Sequence, residues 1–127
     1  MFFKGNKTEG YATLPSGIHV PIDSEQFEDF ILSVAYAQEP RFYIGQTQLQ
    51  SIKRFLNFEI ISNSNYQTKK VFKRYGHDDL GNIWILADTN PIRYIKISPG
   101  EIEDNLEVCP VVIVLNKEAT ALPKITQ

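Results

Sequence analysis

Residues 82–97 read NIWILADTNPIRYIKI, and this stretch decides the fold class that the sequence favours. Its two apolar runs, 82–87 and 92–97, are rich in β-branched and aromatic residues, and the turn residues 88–91 separate them. A connection as short as this favours neighbouring antiparallel strands. Residues 68–75 form a third run of the same kind, so the second half of the chain is predicted to contain an antiparallel meander.

Two further segments extend the predicted sheet. Residues 11–14 and 18–20 are strand-like and flank the turn residues 15–17, which favours an N-terminal hairpin. Residues 111–115 form an uninterrupted apolar run, typical of a strand that is buried on both faces. We expect this strand to lie centrally in the sheet, and we expect a helical turn at 101–107.

The first predicted helix spans about residues 24–38. Apolar residues recur there at the spacing of one helix face, and they are Phe27, Phe30, Ile31, Val34 and Ala35. Asp23 or Ser24 supplies the N-cap. Pro40 ends the helix, because a proline ring does not fit in a helix interior.

The second predicted helix spans about residues 48–57, with Thr47 as its N-cap. Lys53 and Arg54 are expected to face solvent. The expected buried face consists of Leu49, Ile52, Phe55 and Leu56. Short strands are predicted on both sides of this helix, at residues 42–44 and 58–61.

These elements together predict an α+β fold, with a mostly antiparallel sheet and both helices packed on one face of it. A length of 127 residues and a mass of 14.5 kDa fit a single domain, residues 1–127, with a frayed C-terminus from about residue 121. The single cysteine, Cys109, excludes an internal disulfide framework, and no apolar run approaches the ~18 residues of a membrane span. We therefore expect a cytoplasmic protein without a membrane segment.

The net charge of −2 hides an uneven distribution along the chain. Residues 1–39 contain 2 basic and 6 acidic side chains, residues 40–77 contain 7 basic and 1 acidic, and residues 78–127 contain 4 basic and 8 acidic. A basic block between two acidic ones favours a surface that faces a polyanion.

The densest part of the basic block is residues 69–75, KKVFKRY. Cations interleaved with aromatic rings are typical of surfaces that hold single-stranded nucleic acid. An edge strand has the same composition, because exposed lysines there prevent edge-to-edge aggregation. Both interpretations stay open. The candidate nucleic-acid-binding residues are Lys53, Arg54, Lys69, Lys70, Phe72, Lys73, Arg74 and Tyr75.

Aromatic residues of the meander raise a second pair of alternatives. If the sheet face that holds Trp84 and Tyr94 is open, it forms a stacking surface for a base, a nucleotide or a partner side chain. If the helices or a second chain cover it, both rings belong to the core. The candidate ligand-binding or partner-binding residues are Trp84, Tyr94, Arg41, Tyr43 and Arg93.

Motifs of catalysis and metal binding are missing from the sequence. His19, His77 and Cys109 are its only His and Cys residues, and none lies two to four positions from another. No metal site, no cofactor and no catalytic residue is therefore predicted. The sequence also contains no phosphate-binding glycine loop and no G-x-S-x-G motif.

The sequence favours a non-enzymatic binding domain that acts on a protein partner, a small ligand or a second copy of itself. The first alternative is a nucleic-acid-associated domain that uses residues 53–75, although the acidic pI of about 5.7 disfavours it. The second alternative is a small enzyme or a nucleotide-sequestering pocket, because guanidinium groups bind phosphate well. Its residues would be Arg41, Tyr43, His77 and Arg93.

Overall fold

The computed structural model describes residues 1–5 and 8–114, and this part of the chain contains two helices and nine strands. The helices are α1 (Glu25–Tyr36) and α2 (Gln46–Ser62). The strands of the first half are β1 (Phe2–Lys4), β2 (Gly10–Thr13) and β3 (His19–Pro21). The strands of the second half are β4 (Val71–Lys73), β5 (Tyr75–His77), β6 (Ile83–Thr89), β7 (Ile92–Ser98), β8 (Glu101–Leu106) and β9 (Val112–Val114). The predicted α+β class is confirmed.

The strands form two sheets. The first is mixed and has the order β1-β2-β3-β9-β4, with β9 parallel to both of its neighbours. The second is the predicted antiparallel meander, β5-β6-β7-β8. The central place predicted for the apolar run 111–115 is confirmed for β9, where Ile113 and Val114 are buried. Residue 115 and the predicted frayed end from about residue 121 lie outside the described residues.

Contacts between residues divide the chain into two compact units. Unit 1 contains Met1–Leu14 and Val20–Lys69, and unit 2 contains Pro15–His19 and Lys70–Gln127. Both helices and the β1–β2 pair therefore belong to unit 1, and the antiparallel meander belongs to unit 2. The single domain expected from the chain length stays a prediction.

In unit 1, Ser24 begins α1. Its Oγ accepts a hydrogen bond from the backbone N–H of Phe27 at 3.2 Å, so Ser24 rather than Asp23 is the N-cap. Phe27 is buried, which places the cap and the first apolar contact of α1 in the same turn. The helix ends at Tyr36, before Pro40, close to the predicted bounds.

The N-terminus of α2 depends on a glycine and a glutamine. Gly45 is the N-cap, and the side-chain oxygen of Gln48 accepts a hydrogen bond from the Gly45 N–H at 2.9 Å. The prediction that Thr47 caps this helix is wrong, because Thr47 already lies in its first turn. Residues 42–44 form no strand and lead directly into α2.

The C-terminal half of α2 extends to Ser62, so the strand predicted at 58–61 is wrong. Ile60 is fully buried, and Asn57 accepts a hydrogen bond from the Gly10 N–H at 2.7 Å. A Cβ at Gly10 would lie 3.1 Å from the side chain of Ile60. The glycine therefore lets α2 approach the start of β2 closely.

In unit 2, the single strand predicted at 68–75 is interrupted. Arg74 adopts a left-handed conformation with φ of 69°, which separates β4 from β5. The ring of Phe72 packs on Gly76, which has no Cβ to displace it. β4 ends the mixed sheet and β5 ends the antiparallel sheet, so the interpretation of residues 69–75 as edge strand is confirmed.

The meander continues to β8, where the sequence predicts a helical turn at 101–107. That prediction is wrong, because Ile102 pairs with Ile97 of β7 in an antiparallel ladder. Gly100 supplies the positive φ of 77° that the tight turn between β7 and β8 requires.

Candidate functional site

Five aromatic side chains of unit 1 point into solvent. They come from the end of α1, from the connection between the helices and from α2. Their exposed fractions range from 62% to 90%. We call this set the aromatic surface, and its members are Tyr36, Phe42, Tyr43, Phe55 and Phe58.

The connection between α1 and α2 is held against the end of α1. The backbone N–H of Phe42 donates a hydrogen bond to the carbonyl of Ala35 at 3.1 Å. The guanidinium of Arg41 lies 4.2 Å from the centre of the Tyr36 ring in a cation–π contact. These contacts fix the path of the connection and leave the side chain of Tyr43 90% exposed.

An open cavity of about 450 Å³ lies where the connection meets the first turns of α2. Its volume falls in the range of about 300–1,000 Å³ that is typical of ligand and side-chain pockets. Aromatic and aliphatic side chains supply part of its wall, and hydroxyl and amide groups supply the rest. The lining residues are Phe42, Tyr43, Ile44, Thr47, Gln48, Ser51 and Ile52.

The exposed face of α2 extends the surface away from this cavity. Ser51 lines the cavity, Phe55 follows four residues later, and Phe58 follows three residues after that. Residues at these spacings are neighbours on one helix face. The aromatic surface therefore runs from the end of α1, past the cavity, to the fourth turn of α2.

The rotation of α2 about its axis differs from the predicted one. Phe55 is predicted to be buried but is 67% exposed, and Lys53 is predicted to face solvent but is 6% exposed. Leu49 and Ile60 are buried on the same side as Lys53. Residues 49, 53, 56 and 60 have the spacing of one helix face, as the residues of the predicted face do. Because this series includes the charged Lys53, apolar periodicity alone does not identify it as the buried face.

The buried Lys53 forms ion pairs with two carboxylates of unit 1. Its Nζ lies 2.6 Å from Glu28 and 3.1 Å from Asp23, and Gln50 donates a further hydrogen bond to Glu28 at 3.1 Å. Burial by itself lowers the pKa of Lys53, but the hydrogen bonds to Glu28 and Asp23 outweigh it and raise the pKa above its ordinary value. The ammonium of this candidate nucleic-acid-binding residue therefore faces carboxylates and not solvent.

Trp84 and Tyr94, the two rings predicted to bind a ligand if exposed, lie in unit 2. They are 7% and 3% exposed, so the core alternative describes them and they form no open stacking face in the described residues. The indole N–H of Trp84 donates a hydrogen bond to Asp78 at 2.9 Å. The buried cluster around the two rings also contains Leu86 and Ile113.

The other three candidate ligand-binding residues are Arg93, which is buried, and Arg41 and Tyr43, which are exposed. Arg93 is buried in unit 2, where its guanidinium lies 3.0 Å from both carboxylate oxygens of Asp104. Arg41 and Tyr43 lie next to each other in the connection of unit 1. The structure therefore brings these two together at an exposed site and keeps Arg93 in an internal ion pair.

The cations of residues 69–75 are distributed over both units. Lys69 belongs to unit 1, and its Nζ lies 5.2 Å from the centre of the Phe3 ring. Lys70 belongs to unit 2, and its Nζ lies 5.1 Å from the centre of the Phe72 ring. The remaining exposed members of the candidate nucleic-acid set are Lys73 and Tyr75 in unit 2 and Arg54 in unit 1.

Groups that could perform chemistry are sparse in the described part of the chain. Residues 1–5 and 8–114 contain no group of three or more His, Cys, Asp or Glu side chains placed to hold a metal ion. Burial raises the pKa of the Cys109 thiol, which disfavours the thiolate that acts as a nucleophile. Neither of the two described helices is long and apolar enough to cross a membrane.

The aromatic surface offers apolar contacts, an open cavity and the guanidinium of Arg41. Such an arrangement can bind, because rings and a recess exclude water from a partner that covers them. No protein-family model matches the chain, and neither a curated protein nor a solved structure matches it.

Proposed function

We propose that this protein is a non-enzymatic binding domain whose aromatic surface docks on another protein chain. The observation that carries the proposal is the exposure of five aromatic side chains, between 62% and 90%, beside one open cavity. Aromatic residues are enriched at the centres of protein interfaces, and monomeric proteins rarely leave a large apolar patch in water.

The size of the surface is sufficient for a specific complex. Because a buried aromatic side chain accounts for about 150–250 Å², the five rings at their exposed fractions offer about 700 Å². A partner that covers this area loses a similar area of its own surface, so the complex would bury about 1,400 Å² in total, above the roughly 1,000 Å² that a biological interface needs.

The cavity favours a partner that contributes an apolar side chain. Its lining side chains carry no formal charge, and a closed apolar cavity of about 150 Å³ already accommodates benzene. A recess of about 450 Å³ therefore has room for a whole aromatic or aliphatic side chain. Thr47, Gln48 and Ser51 at its wall offer hydrogen bonds that orient such a side chain.

Site-specific photo-crosslinking tests this proposal. A benzophenone amino acid in place of Tyr43, in the full chain in living cells, should give a discrete protein adduct. The same probe in place of Ser64, an exposed residue after α2 in the same unit, should give none. Phe55→Ser with Phe58→Ser should remove the adduct at position 43, because those rings hold the partner against the probe.

Three results would contradict the proposal. One is the absence of any adduct at position 43, and another is an equal adduct at position 64. The third is an adduct that persists at full yield in the double variant. Circular dichroism of the variant verifies that its fold is intact, which we expect because both rings are exposed.

A second candidate function is binding of single-stranded nucleic acid by the β4–β5 edge of unit 2. The observation that favours it is the exposure of Lys70, Lys73 and Tyr75 along this short stretch. Lysine ammonium groups can contact phosphates while an exposed ring stacks under a base.

A binding titration at several salt concentrations separates this candidate from the first. A single-stranded oligonucleotide should bind at low salt, and log K should decrease by about 0.7 per phosphate contact for each tenfold rise in salt. Lys70→Glu with Lys73→Glu should weaken binding at least tenfold. Undetectable binding at low salt, or equal binding by the double variant, would eliminate this candidate.

A further inference from the structure

We infer that the chain which covers the aromatic surface is a second copy of this protein, in a two-fold symmetric dimer. This inference rests on the proposed function, because it names the partner of the same surface. Three features of the aromatic surface support it: its area, its shape and its charge.

The area of the surface matches what a homodimer needs from each subunit. The five rings offer about 700 Å². A stable interface buries about 800 Å² per partner. The aliphatic and polar residues that line the cavity, such as Ile44 and Ile52, add to the area that a second copy would cover. A small ligand in the cavity would leave Phe58 and Tyr36 exposed, whereas a second copy reaches the whole set.

The shape of the surface meets the condition for two-fold symmetry. In a two-fold interface the same patch occurs on both subunits, so it must be complementary to itself, and a projection beside a recess satisfies this condition. Tyr43, which is 90% exposed, is such a projection, and the cavity of about 450 Å³ beside it is such a recess. A ring of each copy can therefore enter the cavity of the other. Because a two-fold rotation relates the copies, this contact occurs twice and fills both cavities.

The charges at the surface permit two identical copies to approach each other. Glu39 and Arg41 lie two residues apart in the connection, and both are exposed. Their opposite charges cancel at the border of the rings, so two copies of this border do not repel each other. Two-fold symmetry also allows Glu39 of one copy to face Arg41 of the other, which favours association.

Sedimentation velocity on the purified full chain, from about 1 μM to about 1 mM, tests the inference across the affinities of weak and strong dimers. We expect a mass of twice 14.5 kDa at the upper concentrations. Tyr43→Ser and Phe55→Ser should each raise the dissociation constant at least tenfold, as central interface rings do. The matched control is Leu80→Ser, which removes an apolar side chain that is 86% exposed in the β5–β6 turn of unit 2 and should leave the dimer unchanged.

Other outcomes overturn the inference. They are a monomer at every concentration, a dimer that both ring variants leave intact, and a dimer that Leu80→Ser weakens equally. If a ring variant fails to fold, the purified chain with the photo-crosslinker in place of Tyr43 and no other change tests the dimer. A dimer of this protein yields an adduct of twice the chain mass. If the purified protein is a monomer but forms an adduct of another mass in cells, the homodimer is excluded and the proposed function is retained. If neither the adduct of twice the chain mass nor an adduct of another mass forms, both the homodimer and the proposed function are excluded.

Discussion

Asp78 shows how one side chain organises a turn and a core ring in unit 2. One of its carboxylate oxygens accepts hydrogen bonds from the backbone N–H groups of Leu80 and Asn82. The other oxygen accepts from the side-chain amide of Asn82 and from the indole of Trp84. The bond from Trp84 and then those from Asn82 and Leu80 outweigh the loss of hydration, and they lower the pKa of Asp78 from 3.8 to about 2.

This lowered pKa predicts an acid-sensitive contribution to stability. Because the pKa is lower in the folded chain than in the unfolded chain, folding favours the carboxylate form. The contribution is therefore complete above about pH 5, decreases below the unfolded pKa near 4 and is lost as the pH falls through about 2. We expect the melting temperature of Asp78→Asn to decrease less than that of the wild type over this range.

Thermal unfolding of both proteins between about pH 7 and pH 2 measures this difference. Asp79→Asn is the matched control, because it removes the neighbouring exposed carboxylate and leaves the hydrogen bonds to Asp78 in place. If Asp78→Asn and the wild type lose the same number of degrees, the hydrogen bonds to Asp78 do not stabilise the carboxylate.

At the scale of elements, a buried ion pair joins the two helices of unit 1. Lys53 of α2 is 6% exposed and contacts Glu28 of α1 at 2.6 Å. A buried ammonium that loses its partner keeps the cost of lost hydration without the compensating attraction. The pair lies on the side of α2 that faces α1, and Phe55 and Phe58 lie on the other side of the helix, where they are exposed.

Denaturant unfolding of single and double variants tests this role of the pair. We expect Glu28→Leu to lower the free energy of unfolding by about 2–3 kcal/mol, less than the largest buried-pair effects because Asp23 still contacts Lys53. Adding Lys53→Met should restore most of the lost free energy of unfolding, since no buried charge is then unpaired.

The control is Glu25→Leu, because Glu25 is an exposed residue in the same first turn of α1. This substitution should lower the free energy of unfolding by less than about 1 kcal/mol. A double variant as unstable as Glu28→Leu would show that the pair does not act as a unit.

Elements that depend on local sequence could be predicted, and those that depend on distant partners could not. The bounds of α1 follow from its apolar spacing and from Ser24, which acts on its own helix. The rotation of α2 depends on Glu28, which lies 25 residues away from Lys53 and leaves no periodic signal in the sequence. The strand at 101–106 likewise depends on its ladder with β7 rather than on its own composition, which is rich in acidic residues.

The candidate site was predictable in part for the same reason. Arg41 and Tyr43 lie in a segment that Pro40 and Gly45 keep out of both helices, and the sequence names both as candidate binding residues, although it also predicts a strand at 42–44 that the structure does not contain. Phe55 and Phe58 are apolar residues at helical spacing, which is the usual mark of a buried face. They lie on the side of α2 away from the buried Lys53, so these two of the five rings could not be recognised as exposed before the helices were paired.

At the scale of the whole molecule, the basic block between residues 40 and 77 is divided between the two units. Lys53 is turned inward, and the boundary of the two units falls between Lys69 and Lys70. A run of like charge along the chain therefore does not by itself predict a shared surface.

A dimer built on the aromatic surface predicts a melting temperature that rises with protein concentration. Dissociation accompanies unfolding in such a dimer, so mass action stabilises the folded state as concentration increases. For a domain of this size, a tenfold rise should add about 1–4 °C once the dimer predominates. Phe55→Ser should shift this dependence to about tenfold higher concentrations or beyond, while the dilute-limit melting temperature changes little because the ring is 67% exposed. Leu80→Ser should keep the dependence, since Leu80 is not a member of the aromatic surface and is itself 86% exposed. Scanning calorimetry at three concentrations measures all three proteins, and equal concentration dependence in the wild type and Phe55→Ser would place any self-association elsewhere on the molecule.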